Sequence, residues 1–314
     1  MRLEEFPHDL QPYLLPRAAG KMMYRCLDCG AEYGIDHLFY TCPHCQGLFL
    51  LVDVEADRLK RQPGTFWRRL FDYRRLLNDP AVQGVFRYHE LIAPIIPPED
   101  IVYLGECHTP QVQANPALQA EVGLTFYFKY DGQNPSASFK DRGMAAALSY
   151  LNYTIRTQQL EGVLAICAST GDTSAAAALY AAYLGEKVAS AVLLPHGKVT
   201  PQQLSQPLGA GARVIEIPGV FDDCMRVVEA LSEDYHVALL NSKNSWRIRG
   251  QESYAYEVAQ WFDYDLAGKV IVVPIGNAGN ITAVLEGLLR FHDLDIITTL
   301  PKVIGVQSRH ANPV

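Results

Sequence analysis

Val270-Ile271-Val272-Val273-Pro274-Ile275-Gly276-Asn277-Ala278-Gly279-Asn280 decides the fold. An apolar run of strand type stops at a proline, passes through two glycines and meets Ile281-Thr282-Ala283, where a helical pattern begins. A strand that turns directly into a helix is the repeating unit of a parallel sheet covered by helices. Glycine-rich backbone at a helix start also presents several N–H groups to an anion, so 276–280 reads as a phosphate cradle. The turn has neither the lysine of a Walker loop nor the spacing of a dinucleotide fingerprint, which disfavours ATP and NAD. Taken alone, a tight structural turn explains it equally well.

Working outward, apolar runs suited to buried strands recur at Thr125–Lys129, Val163–Ala168, Val188–Leu194, Val214–Ile217, Val237–Leu240 and Val303–Val306. Helical patterns such as Gly250–Phe262 and Asn280–Phe291 alternate with them. The predicted class is α/β. Residues 54–98 read as a helical connector ending in Ile95-Ile96-Pro97-Pro98. With 314 residues, 49% of them hydrophobic, the chain can bury a substantial core in one large domain or two moderate ones. No apolar run is long enough for a bilayer, and Met1–Leu10 lacks the uninterrupted apolar segment of a signal peptide, so a cytoplasmic protein without membrane partners is expected. A formal net charge of −7 argues against nucleic acid as a partner. The arginines between Trp67 and Arg75 are the local exception and are expected on a solvated helix face.

Four of the seven cysteines form two C-x-x-C pairs, Cys26/Cys29 and Cys42/Cys45. Two such turns facing each other make a closed tetrahedral sulfur site suited to structural zinc. A redox dithiol and a metal-free knuckle are the alternatives. His37 and His44 lie nearby but are expected to be bystanders to four thiolates. So short a segment cannot build its own core, and metal binding would supply its folding energy.

The run Asn134-Pro135-Ser136-Ala137-Ser138-Phe139-Lys140-Asp141-Arg142-Gly143 puts a lysine just after a turn, at the opening of a helix carried by Ala145, Ala146, Ala147 and Leu148. Ser136 or Ser138 can cap that helix. In the first turn, the positive end of the helix dipole disfavours the ammonium form, as a Schiff-base lysine requires. A solvated Lys140 paired with Asp141 is the competing explanation. The strand ending at Cys167 leads into Ala168-Ser169-Thr170-Gly171-Asp172-Thr173-Ser174 and then a helix, and so many hydroxyls around one glycine suit a substrate carboxylate or phosphate as well as a helix cap. Cys107 is a weak candidate nucleophile; Cys167 and Cys224 read as core cysteines.

In order behind the cysteine ribbon come Ser138-Phe139-Lys140-Asp141-Arg142-Gly143, the Ser169–Ser174 loop, Asn241-Ser242 with Arg247 and Gly250-Gln251, and Gly276–Asn280. This ordered set, from about Tyr24 onward, resembles the threonine synthases of the fold-type II pyridoxal-phosphate family. The resemblance implies a two-domain α/β architecture behind a zinc ribbon. The ribbon would occupy 1–53, a helical connector 54–100, the large domain 101–160 and 262–314, and the small domain 161–261.

The resemblance also makes Lys140 the covalent cofactor lysine and proton shuttle, with Phe139 beside the cofactor and Gly276, Asn277, Ala278, Gly279 and Asn280 holding its phosphate. Asp172 matches an Asn or Asp next to the cofactor ring hydroxyl, where two acidic groups would share a proton. Ser169, Thr170, Thr173, Asn241, Ser242 and Arg247 match positions that hold substrate carboxylate and phosphate, a role that suits the arginine fork. Cys26, Cys29, Cys42 and Cys45 match the metal ligands.

The implied reaction converts O-phospho-L-homoserine and water into L-threonine and phosphate, in a homodimer. Cysteate synthase chemistry on phosphoserine and sulfite uses similar anion contacts and stays open, as does a non-catalytic scaffold that keeps the ribbon; a serine or threonine dehydratase suits Arg247 and the ribbon less well. Two departures stand out. The chain stops just past the strand Val303–Val306, where family members continue to a crossover helix and to the Ser or Thr that bonds the pyridine nitrogen, so a fragment or an incomplete large domain is expected. Glu106-Cys107-His108-Thr109-Pro110-Gln111 matches the family's Thr-Pro-Leu element only in part.

Overall fold

The computed structural model describes residues 2–169, 171–197, 199–234, 237–310 and 312. At the amino-terminal end, β1 (Met22–Cys26), β2 (Glu32–Gly34) and β3 (Phe49–Asp53) form an antiparallel sheet in the order β2-β1-β3. β3 alternates buried and half-buried residues, as expected of a sheet with one face on a core. Tyr24, Tyr33, Phe39 and Phe49 pack edge-on and tilted beneath it. The ribbon shares the main core instead of standing alone. Ser245 Oγ donates to the Phe49 carbonyl at 2.9 Å, Gln158 Nε2 to the Asp36 carbonyl at 2.9 Å, and the Leu239 N–H to the Tyr40 hydroxyl at 2.8 Å.

Beyond the short α1 (Gln11–Leu14), the connector carries α2 (Gly64–Arg74) and α3 (His89–Ile92), linked by 3-10 turns. Arg69 and Arg75 lie on the expected solvated face, whereas Arg68 and Arg74 depart from it. Arg74 is fully buried and bonds Glu90 at 2.6 and 2.7 Å, and Arg68 donates to the Ile296 carbonyl at 2.7 Å. Phe66, Trp67, Leu70 and Phe71 share the inner side of the same helix, so these cations arrive in the interior with the apolar stripe. Next come β4 (Gln111–Gln113), α4 (Pro116–Val122) and β5 (Tyr127–Lys129). The strand expected at 125–129 is neither buried nor parallel: β5 pairs antiparallel with β4 and leaves Phe128 half exposed.

α5 (Lys140–Gln158) is long and alanine-rich and buries most of its circumference. β6 (Val163–Ala168), α6 (Asp172–Tyr183), β7 (Val188–Pro195), α7 (Pro201–Gly209), β8 (Arg213–Ile217), α8 (Phe221–Asp234) and β9 (Val237–Leu239) then build a parallel sheet ordered β8-β7-β6-β9. Along β7, Ala191 and Leu193 meet Cys224 and Val228 of α8, while Val192 and Leu194 meet Ala178 of α6 on the other face. This two-sided cover is why the strands read as continuous apolar runs.

The helix expected over 250–262 is two helices, α9 (Ser245–Gln251) and α10 (Ser253–Trp261), divided at Glu252. β10 (Val270–Pro274) pairs parallel with β11 (Lys302–Val306), and α11 (Gly279–Asp293) follows the glycine turn. Here burial alternates, with Ile271 and Val273 inside and Val270 and Val272 exposed.

The contact between α5 and α9 positions the site. A Cβ on Gly250 would overlap the Arg142 carbonyl oxygen and lie 2.8 Å from Ala146 Cβ, and one on Gly143 would lie 2.9 Å from the Arg247 carbonyl oxygen. Glycine at both positions lets the two backbones touch. The start of α5, with Lys140, and the start of α9, with Arg247, are held together as a result.

Candidate active site and cysteine cluster

Lys140 is the first residue of α5, inside the dipole's positive end. Its Nζ lies 4.2 Å from the centroid of the Phe139 ring. Burial, reinforced by the Arg247 charge, lowers its pKa to about 8, against the opposing pull of Asp172. The pairing with Asp141 does not form. Asp141 instead accepts from the Ser136 N–H and from Ser136 Oγ, both at 2.7 Å, which fixes the turn before the helix. Ser138 Oγ accepts from the Lys140 N–H at 3.2 Å and donates to Asp172 Oδ2 at 3.1 Å. One hydroxyl thus joins the start of α5 to the start of α6.

Arg247 is 2% exposed. One of its terminal nitrogens donates to the Leu240 carbonyl at 2.8 Å, and its Nε has no partner. Among the described residues no carboxylate pairs with it, and burial lowers its pKa to about 10. Cys167, at the end of β6, is within electrostatic reach of both Arg247 and Lys140, and burial pushes its thiol up to about 12, so it stays neutral.

The hydroxyl loop divides by role. Ser169 Oγ accepts from the Gly171 N–H at 3.3 Å, and Ser174 Oγ donates to the Gly171 carbonyl at 2.6 Å. Asp172 and Thr173 open α6, whose first turn has no side-chain cap. Thr170 lies outside the described residues. Asn241 is buried and spends both ends of its amide on Ala168, accepting from its N–H at 2.9 Å and donating to its carbonyl at 2.6 Å. It clamps the end of β6 and with it the base of the hydroxyl loop. Ser242 is half-buried beside it.

On the other side, Ala278 takes a left-handed backbone (φ 62°) and α11 begins without a side-chain cap. The Gly279 N–H meets Asn277 Oδ1 at 3.3 Å. A Cβ on Gly276 would meet nothing, so the space above this turn is open, and Gly279 lies against Ile248 of α9. Asn280 is the second residue of α11. The 276–280 turn thus touches α9 at Ile248, and Lys140 and Arg247 lie within electrostatic reach of each other across the α5–α9 contact. Uncapped N–H groups, an open approach and a lysine held toward its neutral form fit a phosphate-bearing carbonyl cofactor.

Two features of this neighbourhood carry no local sequence signal. Ser138 meets the start of α5, as a cap would, and its bond to Asp172 crosses from one element to another. Arg142, two residues after Lys140, is fully buried and bonds Asp131 and Glu257. Cys107 accepts from Arg142 at 3.2 Å, and burial raises its thiol pKa well above the usual value, which leaves little thiolate for attack.

In the ribbon, the four sulfurs of Cys26, Cys29, Cys42 and Cys45 lie within 4.8 Å of one another, with Cys26 and Cys45 at 3.4 Å and Cys29 and Cys42 at 3.7 Å. Sulfurs around a tetrahedral metal at ~2.3 Å lie about 3.8 Å apart. The cluster therefore has the dimensions of a metal site, and neither His37 nor His44 belongs to it. Among the described residues no helix is long and apolar enough to cross a membrane.

Residues 102–314 match the family described as "Pyridoxal-phosphate dependent enzyme". The chain belongs to this family. It is 38% identical over 295 residues to a threonine synthase of Methanocaldococcus jannaschii, covering 93% of this chain and 67% of that protein. It is 35% identical over 297 residues to a threonine synthase of Methanosarcina acetivorans, covering 92% and 65%. The chain thus spans about two thirds of the length of these relatives. Among solved structures it resembles maize serine racemase, with a TM-score of 0.54 at 20% identity over 72% of this chain and 60% of that one, a likeness of fold alone. The family match covers Lys140, Arg247 and the 276–280 turn, and the ribbon lies outside it.

Proposed function

We propose that this chain carries the catalytic lysine, cofactor cradle and anion site of a threonine synthase, which converts O-phospho-L-homoserine and water into L-threonine and phosphate. The observation that carries the reading is Arg247, a buried guanidinium with an orphaned Nε and no carboxylate, set beside an amine whose proton it disfavours. A buried cation with no counter-ion suits a substrate that brings one, and a phosphate group fills the bidentate fork.

In this assignment Gly276, Asn277, Ala278, Gly279 and Asn280 would receive the cofactor phosphate at the start of α11, Lys140 would hold the cofactor covalently, and Phe139 and Asp172 would hold its ring. Pyridoxal phosphate, when bound, supplies an electron sink for charge developing on the substrate carbons. Lys140, with its pKa lowered to about 8 and so close to physiological pH, takes and returns protons at the substrate's α and β carbons. Arg247 holds the phosphate that departs from the γ carbon, before water adds at the β carbon. Ser169, Thr173 and the uncapped first turn of α6 receive the carboxylate. Asn241 and Ser174 hold that loop in place.

We assign the four ribbon cysteines to zinc, which favours closed tetrahedral thiolate sites. The parallel sheet β8-β7-β6-β9 supports treating 161–261 as a smaller domain set against 101–160 and 262–314.

The test is the absorbance of the purified protein with added pyridoxal phosphate, then phosphate release from O-phospho-L-homoserine and from O-phospho-L-serine with sulfite. A visible band with threonine formed from the first substrate is expected. Turnover of the second substrate alone would move the assignment to a cysteate synthase, and absence of the band would remove the cofactor reading. For the ribbon, Cys26→Ser is expected to lower bound zinc and thermal stability together; an unchanged zinc content would contradict the assignment.

A further inference from the structure

Glu106–Gln111, the segment that matches the family element only in part, borders a separate cavity of about 220 Å³. Arg75, Arg87, His108, Gln111, Lys129 and Glu257 supply its polar lining. Arg87 is 2% exposed, and its Nε has no partner. One terminal nitrogen lies 3.5 Å from His108 Nδ1, a neutral acceptor in that geometry, and the guanidinium also lies over the Tyr88 ring. Gln111 is 8% exposed, and its Nε2 is also unpartnered. Two residues of this lining thus each keep a buried donor without a partner. Arg75 is exposed and no ion pair engages it among the described residues.

The acid in this lining is already committed. Glu257 accepts from Lys129 at 2.6 Å, from the His108 N–H at 2.7 Å and from both terminal nitrogens of Arg142 at 3.0 Å. Together with Asp131, which also pairs with Arg142, it balances Lys129 and Arg142, leaving Arg75 and Arg87 in surplus. The backbone here is also held in an uncommon shape. Cys107 (φ 71°) and His108 (φ 51°) are successive left-handed residues, fixed by Asn134 Oδ1 at 2.8 Å and by Glu257. Non-glycine residues in this region of backbone space concentrate at ligand clamps and other functional sites.

We propose that this cavity is a second oxyanion site, distinct from Arg247, that takes inorganic phosphate or a compact phosphate monoester. Every unsatisfied group in the lining is an N–H donor, which calls for a ligand made of acceptors. The surplus charge calls for an anion, and the arginine fork favours planar pairs of oxygens. The volume equals that of roughly seven waters, more than a bare carboxylate fills.

The experiment is calorimetric titration of the full chain with inorganic phosphate, in wild type, Arg247→Leu, Gln111→Leu, Arg75→Ala and Arg87→Met. Binding is expected to survive Arg247→Leu and to weaken about tenfold or more in Gln111→Leu and Arg87→Met, with a smaller loss in Arg75→Ala. If Arg87→Met does not fold, the Gln111 and Arg75 variants carry the answer. Parallel titrations with acetate and with glycerol 2-phosphate separate the ligand classes: acetate is expected to bind at least tenfold more weakly than either phosphate. Loss of all phosphate binding in Arg247→Leu, unchanged affinity in both Gln111→Leu and Arg75→Ala, or no phosphate binding by the wild type would each overturn the proposal, as would a preference for acetate.

Discussion

Arg142 and Arg247 sit on two helices whose backbones touch, both are buried, and their surroundings are opposite. Arg142 bonds Asp131 at 3.0 and 2.9 Å and Glu257 at 3.0 Å through two nitrogens, and it also reaches Thr109 and Ser253 at 3.2 Å. These carboxylates raise its pKa well above the ordinary value despite burial. Arg247 has one carbonyl and an orphaned Nε, and burial lowers its pKa. A buried cation is costly unless paired. The fold meets that cost internally at Arg142, whereas at Arg247 it leaves the counter-ion to come from outside. Completeness of pairing, more than burial, separates the structural arginine from the binding one.

The largest effect expected from that contrast is on stability. Arg142→Met would strip Asp131 of its cation and halve the pairing of Glu257, and breaking a buried pair costs about 3–5 kcal/mol. Urea unfolding should show this as a lower midpoint at unchanged slope. A loss below ~1 kcal/mol would mean that Arg142 is no better paired than Arg247. Arg247→Met should do the reverse, leaving the urea midpoint nearly unchanged because no carboxylate is orphaned. Substrate binding should weaken by at least ~2 kcal/mol, the lower range for removing one partner of a buried charge pair, or roughly thirtyfold in KM for the phosphorylated substrate. Equal losses in substrate and cofactor affinity would break the assignment of this arginine to substrate.

The contrast was only half legible in the sequence. Alternation of apolar runs and helical patterns marked the α/β class, and strand β6 stands where its apolar run begins and ends. Lys140 and Gly276–Asn280 could be named from local turn chemistry at helix starts, whereas Arg247 and the role of Asp172 came only with the resemblance to the threonine synthases. What could not be read was pairing across long separations. Whether an arginine is neutralised depends on residues such as Asp131 and Glu257, 11 and 115 positions from Arg142. The same blindness placed Arg74 in solvent, although Glu90 and three carbonyls enclose it. Asn241 was named through that resemblance, and only the position of Ala168 reveals that one donor and one acceptor of its amide clamp the end of β6. The hairpin β4/β5 was misjudged because Thr125–Lys129 is apolar enough for a core strand, while nothing in it announces an antiparallel partner at Gln111.

An intermediate effect concerns the contact that brings the two arginines together. Gly250→Ala places a methyl group against the Arg142 carbonyl oxygen and the Ala146 side chain, in a junction with no slack. Overpacking of this kind typically costs about 1–3 kcal/mol, because neighbours are forced apart. Here the displaced neighbour is backbone, so the start of α9 must shift relative to α5. Both stability and substrate affinity should fall, unlike the two arginine variants, each of which moves mainly one of them. A change in stability alone would show that Arg247 reaches its ligand independently of this helix contact.

The smallest effect is a pH dependence at Lys140. Burial and the Arg247 charge lower its pKa to about 8, below the unfolded value of roughly 10.4. The unfolded chain therefore binds more protons between about 8 and 10.4, and stability should rise with pH through that window as far as this group is concerned. Reactivity follows the free amine, so acylation of Lys140 in the cofactor-free protein, followed by mass spectrometry of its peptide, should reach half its plateau near pH 8. Removing the neighbouring cation in Arg247→Met should move that midpoint upward, because one of the two causes of the depression is gone while burial remains. Arg142, whose charge is neutralised by Asp131 and Glu257, should have no such influence when exchanged for lysine. If the Lys140 midpoint stays fixed in Arg247→Met, burial alone sets it, and the unpaired arginine acts on the substrate without acting on the lysine.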